Sequence, residues 1–265
     1  MNKLKLIFAT SLFLVSCATV PLTGRKQFNL VGDAEINTAA AASYKQLLSD
    51  RSTTVITGTR DAESVKRVGT KLAAAIESYL KTNGYGDKYS FNWEFNLIQS
   101  KEINAWCMPG GKVAVYTGIL PITQDDAGLA TVLGHEIGHA IARHSAERVS
   151  QQKAAQIGAG LVSDATANNS QFTQTAVSQL YGVGGQLVLL KYSRNQESEA
   201  DHLGLIFMAM AGYDPHYSVS FWQRMLAQNK GGSPPEFLST HPADQSRIEN
   251  LKQWLPEAMK YYHQR

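Results

Sequence analysis

Residues 131–144 read TVLGHEIGHAIARH, and both the fold and the chemistry turn on this stretch. His135 and His139 stand four apart in a run rich in alanine and isoleucine, Glu136 follows the first, and Gly134 and Gly138 precede each. On an α-helix of about 3.6 residues per turn, positions four apart lie about 40° apart around the axis, so both imidazoles point the same way. Two imidazoles on one face can share a metal ion. Glu136, about 100° further round, then stands beside the open coordination position as a base for a metal-activated water. The same letters also describe an ordinary buried helix with two histidines and a locally paired glutamate. The glycines weigh against that reading. Each costs about 1 kcal/mol relative to alanine in a helix interior, and together they form a bare stripe that predicts close packing of another backbone.

A third ligand is missing from the stretch itself. The metzincin extension would need glycine at 142 and histidine at 145, where the chain has Ala142 and Ser145. His144 lies nine residues from His135, about 180° round one continuous helix, and is expected to be solvated or locally paired. The best candidate lies in ESEAD, residues 197–201. Glu197 and Asp201 share a helix face, so Glu197 could complete a metal shell while Asp201 holds an imidazole by its second nitrogen. Glu199, about 200° from Glu197, is expected to face solvent.

Working outward, helices are predicted near 34–48 and 61–81, the second from Val65, Val68, Leu72, Ile76 and Leu80 at helical spacing. YSFNWEFNLI (89–98) alternates with period two as a strand does, and Lys112 to Thr117 reads as a second strand after the turn MPGG. Thr123 and Asp126 have capping-box spacing and predict one helix from there to about Gln156. Residues 157–180, rich in Gly, Ala, Ser, Asn and Gln, read as a loop or weak helix. Ser193 with Gln196 opens the next helix, which stops at Gly212; Asp214 and Pro215 open another, GGSPPEFLSTHP is a loop, and a last helix spans about 243–262. One mostly helical α+β domain with a small β-sheet, spanning 34–265, is the predicted architecture.

The whole chain bounds the function. Its 265 residues are 43% hydrophobic, enough for a full core. The net charge is +3, but Lys3 and Lys5 stand in a leader-like start without acids, which leaves 23 basic against 22 acidic residues. That balance offers no argument for a nucleic-acid partner. The basic start, the apolar run Leu6–Val15 and the small residues after it read as a targeting segment over 1–16. LVSC at 14–17 resembles a bacterial lipoprotein signal, against the plainer reading of a secretory signal with a chance cysteine. The resemblance implies lipidation at Cys17 and a tether over 17–33. With Ala18 next, it also implies an outer-membrane anchor facing the periplasm. Cys107 then has no disulfide partner. Its default role is that of a small strand residue, with a reactive thiol the minority reading.

HEIGH, followed 58 residues after His139 by the E-x-x-A-D of ESEAD, resembles the gluzincin metallopeptidases related to HtpX and the prenyl-protein (CAAX) endopeptidases, peptidase family M48. The likeness extends to NAWCMPGGKVAVYTGIL upstream and to GYDP, Phe221, Met225 and THPADQSRI downstream, so it spans roughly residues 30–255. It implies one zinc ion per chain, held by His135, His139 and Glu197 with Glu136 as general base, and extended polypeptides as substrates. The strand from Lys112, with Val113 and Val115, or the segment from Asn104 before it, would pair with the substrate backbone along an exposed edge facing the active site. The same strand also reads as a purely structural edge. His241 matches a family histidine that either stabilises an oxyanion or occupies the metal's open position as a gate. Arg247 matches an arginine that pairs with Asp201 or with the site, the simpler reading being a helix-face arginine. Two functions stay open: a zinc endopeptidase of the bacterial envelope working in protein quality control, and a lipoprotein assembly factor that binds outer-membrane clients, with other outer-membrane protein assembly factors as partners and its zinc site structural or latched by His241.

Overall fold

A computed structural model describes residues 16–158, 169–181, 192–228, 235–241 and 245–263, so residues 1–15 of the expected signal lie outside the described part. An antiparallel ribbon of β1 (Ser16–Thr19) and β2 (Lys26–Asn29) comes first, with Cys17 opposite Phe28. Helices α1 (Asp33–Ser49) and α2 (Arg60–Thr82) follow, separated by β3 (Val55–Ile56). Next come β4 (Glu94–Ile98), β5 (Ala105–Met108), β6 (Lys112–Tyr116), the one-turn α3 (Leu120–Thr123) and α4 (Asp126–Ile141). The remaining helices are α5 (His144–Gly158), α6 (Asn169–Leu180), α7 (Arg194–Met210), α8 (Tyr217–Ala227), the short α9 (Glu236–Thr240) and α10 (Gln245–Ala258). None of the helices searched is long and apolar enough to cross a membrane.

The sheet order is β3-β4-β6-β5, with β4 and β6 parallel and the other pairs antiparallel. The turn at MPGG holds Gly110 and Gly111 at φ +78° and +86°, a region that only glycine enters without cost, and so reverses β5 onto β6. Side chains then alternate between two cores. Phe95, Leu97, Ala105, Cys107, Val113 and Val115 pack with α2 and α4, while Ile98, Trp106, Met108 and Ala114 pack with α1 and α6. The sheet is therefore covered by helices on both faces. Cys107 sits in the first core with its thiol pushed well above the usual range by burial, which fits a structural residue.

The predicted single helix from Thr123 to about Gln156 is two helices. Thr123 does not cap α4, because its hydroxyl donates to Leu120 O at 3.0 Å. Gln124 turns the chain at φ +68°, and the Asp125 carboxylate accepts the Gly128 N–H at 2.8 Å. At the far end Arg143 takes φ +52° and ends α4. A left-handed arginine costs about 1–2 kcal/mol. Its guanidinium offsets that by donating to Asp33 and to Lys88 O and by lying 4.2 Å over the Tyr89 ring. The helix before Gly212 keeps its predicted capping box at Ser193 and Gln196. The next helix starts after His216, two residues later than Asp214 predicts, since the Asp214 carboxylate accepts the His216 N–H instead. Residues 169–180 form a helix, and the loop before His241 contains α9.

Residues 17–33, read as a tether, lie against the domain. Val20 and Val31 are buried, Leu30 N and Val31 N donate to Ser150 Oγ at 2.9 and 3.2 Å, and Gln27 Nε2 donates to Ala142 O where α4 ends.

Candidate metal centre

The glycine stripe of α4 meets α7. A Cβ on Gly134 would lie 2.8 Å from Gly204 O, and one on Gly138 would lie 2.8 Å from Ala200 O. A Cβ on Gly204 would in turn lie 2.7 Å from His135 N. Three missing side chains thus let two helix backbones touch, and the helix so admitted carries Glu197 and Asp201. The contact foreshadowed by the glycines is the one that delivers the acids to the histidines.

His135 Nε2 and His139 Nε2 lie 3.1 Å apart. Glu197 reaches them with Oε1 3.3 Å from His139 Nε2 and Oε2 3.6 Å from His135 Nε2. Tetrahedral coordination at about 2.1 Å spaces ligand atoms about 3.4 Å apart, so the three donors fit one zinc ion. Two of the buried carboxylate oxygens have no hydrogen-bond partner: Glu197 Oε2, which has the Arg247 guanidinium 3.3 Å away, and Glu136 Oε1, which a cation at the site would face. His241 completes a buried group of four with His135, His139 and Glu197, its Nδ1 2.9 Å from Glu197 Oε1 and its Nε2 3.5 Å from Glu136 Oε1.

Charge follows from burial. His135 and His139 are held well below the usual histidine range by desolvation, so they remain neutral and able to ligate. Burial lifts the Glu136 carboxyl to about 7. Burial also raises Glu197, but the neighbouring His241 and His139 outweigh it and keep the carboxylate anionic. Desolvation lowers His241, and its attraction to Glu197 and Glu136 raises it by more.

The surrounding residues sort the remaining expectations. Asp201 Oδ1 lies 2.8 Å from His135 Nδ1, as its spacing suggested. Arg247 is buried, donates to Asp201 Oδ1 at 2.6 Å and stacks 3.2 Å over Trp222, so it belongs to the site and not to a solvated helix face. Val113 and Val115 are fully buried on β6, an interior strand bonded on both sides, which removes them from any backbone pairing with a substrate. The edge strand is β5, preceded by Asn104, whose carbonyl accepts Tyr116 N at 3.0 Å from the β6 side. On the outer side Ile103 O accepts Phe237 N at 3.0 Å and Cys107 O accepts the Tyr181 hydroxyl at 3.2 Å.

Glu199 does not face solvent as expected, and of the two roles expected for His144 the paired one holds. Both are buried, and because the chain turns at Arg143, His144 folds back so that its Nδ1 lies 2.8 Å from His139 Nδ1. Its Nε2 meets Glu199 Oε2 at 2.9 Å. Tyr192, which no spacing pattern marks, stacks on His139 with ring centroids 4.0 Å apart, and Trp222 meets His135 edge-on at 5.7 Å. An aromatic residue beside a capping serine carries no pattern that could have marked it.

The chain is similar to known proteins over most of its length. The chain is 33% identical over 240 residues to the mitochondrial metalloendopeptidase OMA1 of Schizosaccharomyces pombe, covering 90% of this chain and 66% of that protein. It is 31% identical over 254 residues to human mitochondrial metalloendopeptidase OMA1, covering 91% of this chain and 46% of that one. Against the beta-barrel assembly-enhancing protease of Escherichia coli K12 it is 32% identical over 168 residues, 60% of this chain and 34% of the relative. The chain thus spans less than two thirds of the length of each of these relatives. The model of Peptidase family M48 matches residues 60–255, a stretch that contains His135, Glu136, His139, Glu197 and His241, and the chain belongs to that family.

Proposed function

We propose that the protein is a zinc-dependent endopeptidase in which His135, His139 and Glu197 hold the metal and Glu136 is the general base. The observation that carries this reading is the convergence of two neutral imidazoles and an anionic carboxylate at ligand spacing, with a second buried carboxyl beside them. Bound there, zinc would supply Lewis-acid activation of a water and of the scissile carbonyl. Glu136 takes the proton of the attacking water and passes it to the leaving amine, a role suited to a carboxyl raised to about 7. Asp201 fixes the His135 ring through Nδ1 and leaves Nε2 free to ligate. An extended polypeptide would approach along the outer edge of β5, where it would have to displace the bonds that the Phe237 N–H and the Tyr181 hydroxyl make to Ile103 O and Cys107 O. Substituting Glu136→Gln tests the assignment: zinc content should survive while casein cleavage falls by about 10²–10⁴-fold. Unchanged cleavage would overturn it. Glu197→Ala should lose the metal itself.

A second reading rests on His241, whose ring lies among the ligands where a fourth donor would sit. In it the site is latched, and the protein serves outer-membrane assembly as a binding factor. Protein that holds zinc yet cleaves only after His241→Ala would favour the latch. Lipidation at Cys17 and an outer-membrane location facing the periplasm rest on LVSC, and a quality-control role on the likeness to the beta-barrel assembly-enhancing protease of Escherichia coli. Incorporation of labelled palmitate into the wild type but not into Cys17→Ala would test the anchor.

A further inference from the structure

The two ligand imidazoles are held in different ways. His135 leans on a carboxylate directly, whereas His139 leans on His144, a second imidazole. For His139 to offer Nε2 to a metal, its proton must sit on Nδ1, where it donates to His144 Nδ1. That fixes the His144 proton on Nε2, where it donates to Glu199 Oε2. Glu199 is in turn held by two residues of the turn between β1 and β2: the Thr23 hydroxyl donates to Oε1 at 2.5 Å and Arg25 Nε donates to Oε2 at 2.6 Å. The rest of the Arg25 guanidinium grips Glu147 on α5 in a bidentate pair at 3.0 and 3.1 Å, and Gln196 on α7 donates to the same carboxylate at 3.1 Å.

We infer that Arg25, Glu199 and His144 are positioning residues for the metal ligand His139, so that the N-terminal ribbon forms the outer wall of the metal site. Arg25 and His144 both donate to the Glu199 carboxylate, His139 donates to His144, and the His139 Nε2 lone pair is left facing the metal site. The Arg25 fork fits this task because it spans two carboxylates on two different helices, locking α5, which carries His144, against α7, which carries Glu199. Gln27, two residues on, binds Ala142 O at the break between α4 and α5, so the same ribbon clasps the turn that brings His144 back. Arg25 lies outside the stretch of residues 60–255 that defines the family match.

The inference rests on the zinc assignment above, and its test separates the two. Zinc affinity is measured by chelator competition on the full chain and on Arg25→Ala, Arg25→Lys, Glu199→Gln and the double variant Arg25→Ala/Glu199→Gln, together with the melting temperature of each metal-free protein. Wild-type protein that binds no zinc would sink the assignment itself. With tight wild-type binding, Glu199→Gln should weaken zinc by about 10–100-fold, the range expected when a partner behind a ligand is removed. Arg25→Ala should weaken it several-fold, and Arg25→Lys should recover only part. Acting through Glu199, Arg25→Ala should add little in the Glu199→Gln background. The inference is overturned if zinc affinity is unmoved in Glu199→Gln, or if Arg25→Ala costs as much affinity with Glu199→Gln present as without it. It is equally overturned if the variants differ from wild type only in the melting temperature of the metal-free protein.

Discussion

At the scale of single residues, the site is governed by what burial does to charge. Glu136 is buried beside Glu197 and His241, and its carboxyl is lifted to about 7. A base works in its ionised form, so activity should be present above that pKa and lost as pH falls through it. A bound cation can only lower the value, so the acid limb of kcat/KM should have its midpoint at or below about 7. A limb centred well above 7 would remove Glu136 from the role of base. Glu199 moves the other way. Burial raises it, but hydrogen bonds from His144, Thr23 and Arg25 outweigh that and hold it at about 2, against an ordinary 4.5. A depressed carboxyl stabilises the fold above 4.5 and loses that contribution between 4.5 and 2. Metal-free wild type should therefore lose more melting temperature from pH 6 to pH 3 than metal-free Glu199→Gln, and equal losses would show that the carboxylate is not held this way.

At the scale of elements, the decisive contact is the glycine-lined crossing of α4 and α7. By helix propensity alone Gly138→Ala should stabilise by about 1 kcal/mol. The added Cβ would meet Ala200 O at 2.8 Å, and overpacking against backbone costs about 1–3 kcal/mol while pushing Glu197 away from the histidines. The expected outcome is a melting temperature lower by up to about 8 °C, with weakened zinc binding; a rise would show that propensity decides. This contact was legible in the sequence, as were the histidine pair, Glu197 and Asp201, because helical spacing and a stripe of missing side chains are local patterns. The role of His144 was not. A helical wheel assumes a continuous helix, and nothing in AIARHSA marks Arg143 as a turn, since no glycine or asparagine stands there. Glu199 was misread for a related reason: its partner Arg25 is 174 residues away, and spacing along one helix is blind to it. Of the two segments expected at the edge, the one from Asn104 leads into the edge strand β5 and the one from Lys112 is interior, because β4 pairs in parallel with β6, which follows β5 in the chain, a topology that no hairpin signal announces.

At the scale of the whole molecule, the centre is assembled from α4, α7 and the segment ending at His241, with the ribbon and α10 packed behind it. A metal bound there joins parts of the chain that are otherwise held together beside mutually repelling carboxylates. At free zinc about 1,000 times its Kd, binding adds about 4 kcal/mol. For a domain of this size that corresponds to a melting temperature roughly 10 °C higher than in the chelated protein. Calorimetry with and without a chelator reads this directly, and coincident melting curves would mean that these residues hold no ion.

The crossing of α4 and α7 also sets a clock. Every residue from Gly128 to His139 is buried, and the close approach of the two backbones leaves no room for water between them. Amide protons along that stretch can reach solvent only when the helices part, so their exchange with deuterium should report global opening while the helix ends exchange through local fraying. The protons that leave last should be those of the residues proposed to do the chemistry.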